Sequence, residues 1–183
     1  MTERDAETFD ILDMLSGNKF PEETVRVYVN EDLMYRVAEI EEKIQRNPED
    51  ASLEAEREEL VRKAREFGFQ VHVQGIPRAS LMNAVQKVEE QFPSEYTALG
   101  RRKPNAQADN AMAVLQWVLY VKKIVSPSGA EAGPLSEEEA EALRGQLPLP
   151  AVEAVERAIS DIHEKTNKGH ETLAMETDFL SKR

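Results

Sequence analysis

The 183-residue sequence has no cysteine and few aromatic side chains, with one tryptophan and 6% Phe, Trp and Tyr together. The lack of cysteine excludes disulfides, thiolate nucleophiles and cysteine-based zinc sites. No apolar run reaches the roughly 18 residues of a membrane span, and residues 1–7 lack the basic start and apolar core of a secretion signal. We therefore expect a soluble, intracellular protein.

Positive charge is also scarce, because 23 Lys and Arg residues stand against 35 Asp and Glu residues and leave a net charge of −12. Neutralisation of phosphates by Lys and Arg supplies most non-specific binding to nucleic acid, so this balance argues against nucleic acid as a partner. The eight glycines and nine prolines are fewer than a turn-rich all-β domain usually has. Together with 32% charged residues, these figures predict long solvated helices and a mainly α fold.

The first hundred residues combine two alternating segments with two helical ones. From Thr24 to Val29, and again from Phe69 to Val73, apolar and polar residues alternate, which predicts two half-buried strands. Between them, residues 31–67 have apolar residues at helical spacing on either side of the turn Asn47-Pro48-Glu49-Asp50. A helical hairpin returns the chain to the end it left, so the strands are predicted to pair antiparallel as a small two-stranded element.

The second half reads as entirely helical. Residues 106–125 are apolar around most of the circumference of one helix, which therefore needs neighbours on more than one side. Ser136 and Glu139 form a capping-box pattern that starts a short helix. Val152, Val155, Ile159 and Ile162 share one face of the last helix, for which Gly169 is the predicted end.

These patterns predict a β-α-α-β front half and an all-α back half, divided near residue 100. The predicted segments are an N-terminal arm at 1–19, a β-α-α-β-α segment with the helical hairpin at 20–100, a helical domain at 101–169 and a flexible C-terminal tail at 170–183. The arm has a short apolar group, which reads as a short helix or a docking arm.

No pattern in the sequence gives a positive signal for an enzyme, a cofactor or a metal. His72 is expected on the solvent face of the second strand. His163 and His170 are seven residues apart and would share a helix face only if the last helix continued past Gly169. A small metal-dependent hydrolase that uses these two histidines and a carboxylate is the catalytic alternative. Paired carboxylates such as Glu41-Glu42 lie on predicted solvated helix faces.

The basic cluster Arg101-Arg102-Lys103 reads as a solvated connector, with contact to a phosphate or an acidic partner as the alternative. The apolar helix around Trp117 reads as core, with a ligand pocket or a partner groove as the alternative. Neither pattern alone decides between its two interpretations.

Three segments resemble the tail assembly chaperones of long-tailed bacteriophages, in particular those of actinobacteriophages. The resemblance spans about residues 24–162, and the ending Asp178-Phe179-Leu180-Ser181 is also similar to the family's endings. The segments are Val25-Arg-Val-Tyr-Val-Asn-Glu-Asp-Leu-Met-Tyr-Arg-Val-Ala-Glu-Ile-Glu41, the helix that runs into Ile124-Val-Ser-Pro-Ser-Gly129, and Pro134-Leu-Ser-Glu-Glu-Glu-Ala-Glu-Ala-Leu-Arg-Gly-Gln-Leu-Pro148 with the helix behind it.

The resemblance implies a non-catalytic chaperone without a cofactor or a metal. Its partner would be the tape-measure protein, kept soluble in the host cytoplasm until tail-tube subunits polymerise around it. Tail-tube subunits and further copies of this chain are additional candidate partners, and no membrane is involved. The charged hairpin at 31–67 exceeds what this role requires and leaves a second binding surface open.

We take the apolar residues of the Trp117 helix, the last helix and the tail as the predicted partner-binding set, although the first two groups could equally be core. The alternative function is a structural subunit or adaptor of the phage particle, which would dock through the pair in the tail. The predicted residues are Leu115, Trp117, Leu119, Val152, Val155, Ile159, Phe179 and Leu180.

Overall fold

The computed structural model describes the backbone of residues 20–180, and the side chains of 20–165 and of Lys168. The predicted N-terminal arm and the last three residues lie outside this range. The described helices are α1 (Glu31–Arg46), α2 (Ala51–Glu66), α3 (Arg78–Gln91), α4 (Ala106–Tyr120), α5 (Glu137–Gln146) and α6 (Leu149–Leu180). The strands are β1 (Glu22–Tyr28), β2 (Gly68–Gln74), β3 (Val121–Val125) and β4 (Glu131–Ala132). The predicted mainly helical fold is confirmed.

The strands form one antiparallel sheet in the order β1-β2-β3-β4. The predicted pairing of the first two strands is confirmed, with Val25 opposite Val71 and Val27 opposite Phe69. The two-stranded element and the all-α back half are wrong, because β3 pairs with the second edge of β2 and β4 follows it. The sheet thus spans the predicted division near residue 100.

The predicted helix over residues 106–125 ends at Tyr120, and the chain becomes extended at Val121. Val121, Ile124 and Val125 are β-branched and lose side-chain freedom in a helix, whereas they pack well in a strand. Pairing with β2 then supplies the backbone hydrogen bonds that the helix would have supplied. The segment is apolar throughout, but its side chains follow the helical period only as far as Tyr120 and the strand period after it.

The sequence signals for helix ends are confirmed at three places. Asn30 caps α1, since its side-chain oxygen accepts a hydrogen bond from the Leu33 N–H at 3.0 Å. Ser136 and Glu139 form the predicted reciprocal capping box at the start of α5. α2 ends at Glu66, two residues before Gly68, with Phe67 as its C-cap. The predicted end of the last helix is wrong, because α6 continues through Gly169 to Leu180.

The helical hairpin of α1 and α2 has a small core of its own. Leu33 and Ile40 of α1 pack with Leu60 and Ala64 of α2. Its outer surface is charged, and the Arg62 guanidinium lies 2.7 Å from a Glu59 carboxylate oxygen, which lowers the Glu59 pKa to about 2. The hairpin therefore buries one narrow apolar stripe and exposes the rest.

The main core lies on one face of the sheet, under α4 and α6. Val71 and Val73 of β2 meet Trp117 of α4 and Val155 of α6 there, all with essentially no exposed surface. The other face of the sheet is polar and carries Thr24, His72 and Lys123 side by side. The strand order places β1 at one edge of the sheet, where it packs beside α6.

Candidate functional site

An apolar groove of about 470 Å³ lies where the end of β1, the first turn of α1 and the start of α6 meet. Only two of its lining side chains carry a charge, namely Arg26 and Glu31. Such a groove suits an apolar segment or ligand better than a charged one. The lining residues are Arg26, Val27, Tyr28, Glu31, Met34, Pro148, Pro150, Ala151 and Ala154.

The sequence around the start of α6 explains why this groove stays open. Pro148 accepts hydrogen bonds from the N–H groups of Ala151 and Val152 through its carbonyl, at 2.9 and 3.2 Å, so the helix begins abruptly after the Leu-Pro joint. Ala151 and Ala154 are three residues apart and face the groove with methyl groups only. Leu149 is 68% exposed at the helix start. The small side chains of Ala151 and Ala154 thus leave an unfilled space, and the large side chain of Leu149 is exposed at the start of the same helix.

Charged side chains of both signs lie near the groove. Glu31 and Asp32 begin α1, and Glu153 is exposed on the first turns of α6. Arg26 is the positive residue among those that line the groove, and Arg157 is exposed on the next turn of α6. Among the ion pairs of the described residues, none involves these five side chains, so their charges are open to a partner.

The structure places most of the predicted partner-binding residues in the interior. Trp117 and Val155 have no exposed surface, Leu115, Val152 and Ile159 are buried, and Leu119 packs against the core. Phe179 and Leu180 fall in the last turn of α6, and their side chains lie outside the described ones. Binding through the buried residues stays a prediction and would require the core to open.

The groove lies on the same helix as part of that predicted set, but on a neighbouring face. Val152 and Val155 point into the core, whereas Ala154 and the buried Ala151 at the border of that core line the groove. A usable signal was present in the sequence, since two alanines at helical spacing directly after Leu147-Pro148-Leu149-Pro150 mark a helix face without bulk. The contribution of β1 and α1 had no such signal, because it depends on how three distant segments pack.

The histidines form no metal centre in the part of the chain that the structure describes. His163 lies against Tyr120, whose hydroxyl hydrogen-bonds to its Nε2, and the two ring centres are 5.1 Å apart. Burial raises the pKa of Tyr120 to about 12. Within the described residues, no three His, Asp or Glu side chains are grouped to hold a metal ion. The His170 side chain is not among those described.

His72 lies on the polar face of the sheet, as predicted. Its Nδ1 is 3.1 Å from the Thr24 hydroxyl, and Lys123 occupies the opposite position on β3. Lys123 pairs with Glu131 and lowers the pKa of that carboxyl through a hydrogen bond and its charge. The contact between His72 and Thr24 is exposed to solvent, so this group reads as a solvated strand face.

The basic cluster forms a loop that closes on itself. Arg102 makes a β-bridge with Tyr96, and the Lys103 ammonium lies 2.9 Å from the Glu95 carboxylate. Glu89 holds Ser94 nearby through two hydrogen bonds, which lower the Glu89 pKa. These contacts support the interpretation of the cluster as a connector, in which Glu95 neutralises part of the positive charge.

Comparison of the chain with protein families, with curated proteins and with solved structures found no match. Across the described residues, no helix combines the length and apolar character needed to cross a bilayer. The candidate site therefore rests on the geometry of the groove.

Proposed function

We propose that this protein is a non-catalytic chaperone that binds an apolar segment of a larger protein and keeps it soluble, and that its partner is the tape-measure protein of a phage tail. The observation that carries the proposal is the open apolar groove between β1, α1 and α6. The identity of the partner comes from the resemblance of residues 24–162 to tail assembly chaperones.

The energetics of the groove support a reversible binder. Burying one Leu- or Val-sized side chain contributes about 1.5–3 kcal/mol, so a few such contacts give an affinity that can be reversed when the partner assembles. The net charge of −12 would keep several chains bound along one partner from aggregating with other complexes. Release before the particle is complete, in the host cytoplasm, belongs to the same proposal.

The test is co-expression with the longest helical open reading frame encoded near this gene. We expect that product to become soluble and to co-purify with this chain. Ala154→Asp places a charge in the groove and should abolish co-purification. Ala79→Asp is the matched control, because Ala79 is exposed on α3, which contributes nothing to the groove.

Two results would overturn the proposal. If the long product stays insoluble with the wild-type chain, the chaperone function is wrong. If the chain is found in purified phage particles at the stoichiometry of a tail component, the structural-subunit alternative takes its place. Equal loss of co-purification in Ala154→Asp and Ala79→Asp would show that the binding surface is not the groove.

A further inference from the structure

We propose that the partner segment binds as an additional β-strand on the free edge of β1, with alternate apolar side chains in the groove and basic residues on either side of them. This inference rests on the proposed function and specifies how the groove is used. It requires three things of the structure: free backbone groups at the edge, room for side chains beside them, and a charge that selects this occupant.

The free backbone groups follow from the register of β1 and β2. The Gly75 N–H donates to the Pro21 carbonyl at 2.8 Å, and this pair continues the register of the ladder. Hydrogen-bonded pairs alternate with non-bonded pairs in an antiparallel ladder. Glu23, Val25 and Val27 therefore turn their backbone groups toward β2.

The intervening residues of β1 face the other way. Thr24, Arg26 and Tyr28 direct their N–H and C=O groups away from β2, and β1 is the outermost strand of the sheet among the described elements. An unpaired row of this kind is a template for another strand. No proline interrupts β1, and its last four residues, Val-Arg-Val-Tyr, favour extended backbone.

The room beside this edge is the groove itself. Arg26 and Tyr28, which carry outward-facing backbone groups, also line the groove. Ala151 and Ala154 of α6 form its opposite wall. A strand laid along the edge rises about 3.3 Å per residue and points every second side chain to the same side. Alternate side chains of an added strand would therefore enter the space between β1 and α6.

The charge of the chain favours one kind of occupant. The lining of the groove is balanced, with Arg26 against Glu31, but the chain around it carries a net charge of −12, which favours a segment flanked by Lys or Arg. A second copy of this chain carries the same net charge and is repelled. Residues 1–19 hold five acidic side chains against two basic ones, so they too carry the sign of the chain as a whole. A partner segment with apolar residues between basic ones is the complementary choice.

The first test follows amide hydrogen exchange by NMR in the full chain, with the peptide Lys-Lys-Val-Thr-Val-Thr-Val-Lys-Lys as the probe. The Arg26 and Tyr28 amides should exchange rapidly in the free chain and at least tenfold more slowly with saturating probe. The Val27 amide, bonded to β2, serves as the internal control and should stay slow in both states. A peptide of the same composition without the Val-Thr alternation should give no protection.

Amide exchange in the free chain can contradict the inference directly. Slow exchange of the Arg26 and Tyr28 amides without any probe would mean that the edge is already covered, and would overturn the inference. Dependence of that protection on protein concentration would identify a second copy as the occupant, and independence would identify a segment of the same chain. If the probe does not protect the Arg26 and Tyr28 amides from exchange, the inference is overturned as well.

The second test compares Arg26→Pro with Arg26→Ala. Both variants lose the guanidinium, but only proline removes the outward N–H and places its ring at the edge, without touching the ladder to β2. We expect Arg26→Pro to bind the probe at least fivefold more weakly than Arg26→Ala, at a similar melting temperature. Equal affinities of the two variants would overturn strand addition. If Arg26→Pro fails to fold, the exchange measurement decides alone.

The outcomes separate this inference from the function on which it rests. If the long helical product is kept soluble equally by Arg26→Pro and Arg26→Ala, the chaperone function stands and strand addition falls. If the wild-type chain protects Arg26 on binding the probe but leaves the long product insoluble, the edge is a binding site and the named partner is wrong.

Discussion

Tyr120 and His163 are joined side chain to side chain, and this contact ties the end of α4 to the middle of α6. The tyrosine hydroxyl hydrogen-bonds to Nε2 of the imidazole, and the ring planes are inclined by 60°. Tyr120 has no exposed surface, whereas His163 is half-buried. The pair places a polar contact at the border of the core, where α4 gives way to β3.

Burial of Tyr120 predicts a loss of stability at high pH. Its pKa is raised from 10.0 to about 12, so the folded chain holds the phenol proton more tightly than the unfolded chain does. This contribution is fully present below pH 10 and is lost as the pH rises toward 12, by about 2 kcal/mol given roughly 1.4 kcal/mol per pKa unit. Urea unfolding of wild type and Tyr120→Phe between pH 9 and about 11.5 measures it. A parallel decline in both proteins would contradict the assignment.

The hydrogen bond between these residues predicts a measurable coupling. Unfolding free energies of Tyr120→Phe, His163→Ala and the double variant should differ from additivity by about 1 kcal/mol, the net worth of a side-chain hydrogen bond. Both single variants also lose packing, which the double-mutant cycle removes from the comparison. Strict additivity would show that the two side chains are neighbours without an energetic link.

Trp117 predicts different costs for two substitutions. Trp117→Ala should cost about 3–5 kcal/mol, because the ring fills the centre of the core between the sheet and α6. The indole Nε1 has no hydrogen-bond partner among the described residues, so Trp117→Phe removes a buried unpaired donor and should cost much less. Thermal unfolding of both variants gives the order. A Trp117→Phe variant as unstable as Trp117→Ala would show that the donor is satisfied.

Two glycines form a matched pair with opposite expected effects. A Cβ on Gly68 would lie 2.7 Å from the Val27 carbonyl oxygen, so Gly68→Ala should force β1 and β2 apart and destabilise the fold by more than about 1 kcal/mol. A Cβ on Gly145, inside α5, meets nothing within 4 Å. Gly145→Ala should stabilise the protein by about 0.5–1 kcal/mol. Chemical denaturation checks both, and a neutral Gly68→Ala would refute the close approach.

Local patterns in the sequence were sufficient for most of the front half. The alternation in Val25-Arg26-Val27 set the strand and its inner face, and the Asn30 cap set the start of α1. Their partners lie close in sequence or are brought back by a hairpin, so short-range rules apply. The same holds for the capping box at Ser136.

Long-range contacts decided what those rules missed. Val121 to Val125 has apolar residues that suit a helix or a strand, and the free edge of β2 selected the strand. Val155 and Ala154 are adjacent in sequence, yet Val155 lies in the core and Ala154 lines the groove, since the sheet packs on one side of α6 only.

The sequence by itself determined the mainly helical composition, the first two strands and their pairing, the caps and the acidic surface, because each depends on neighbouring residues or on total charge. The tertiary structure alone decided the third and fourth strands, the burial of Trp117 and Val155, and the groove beside β1. Most of these features arise where segments distant in the sequence meet, as β2 does with β3 and β1 with α6, and the pattern within one segment does not encode which other segment packs on it.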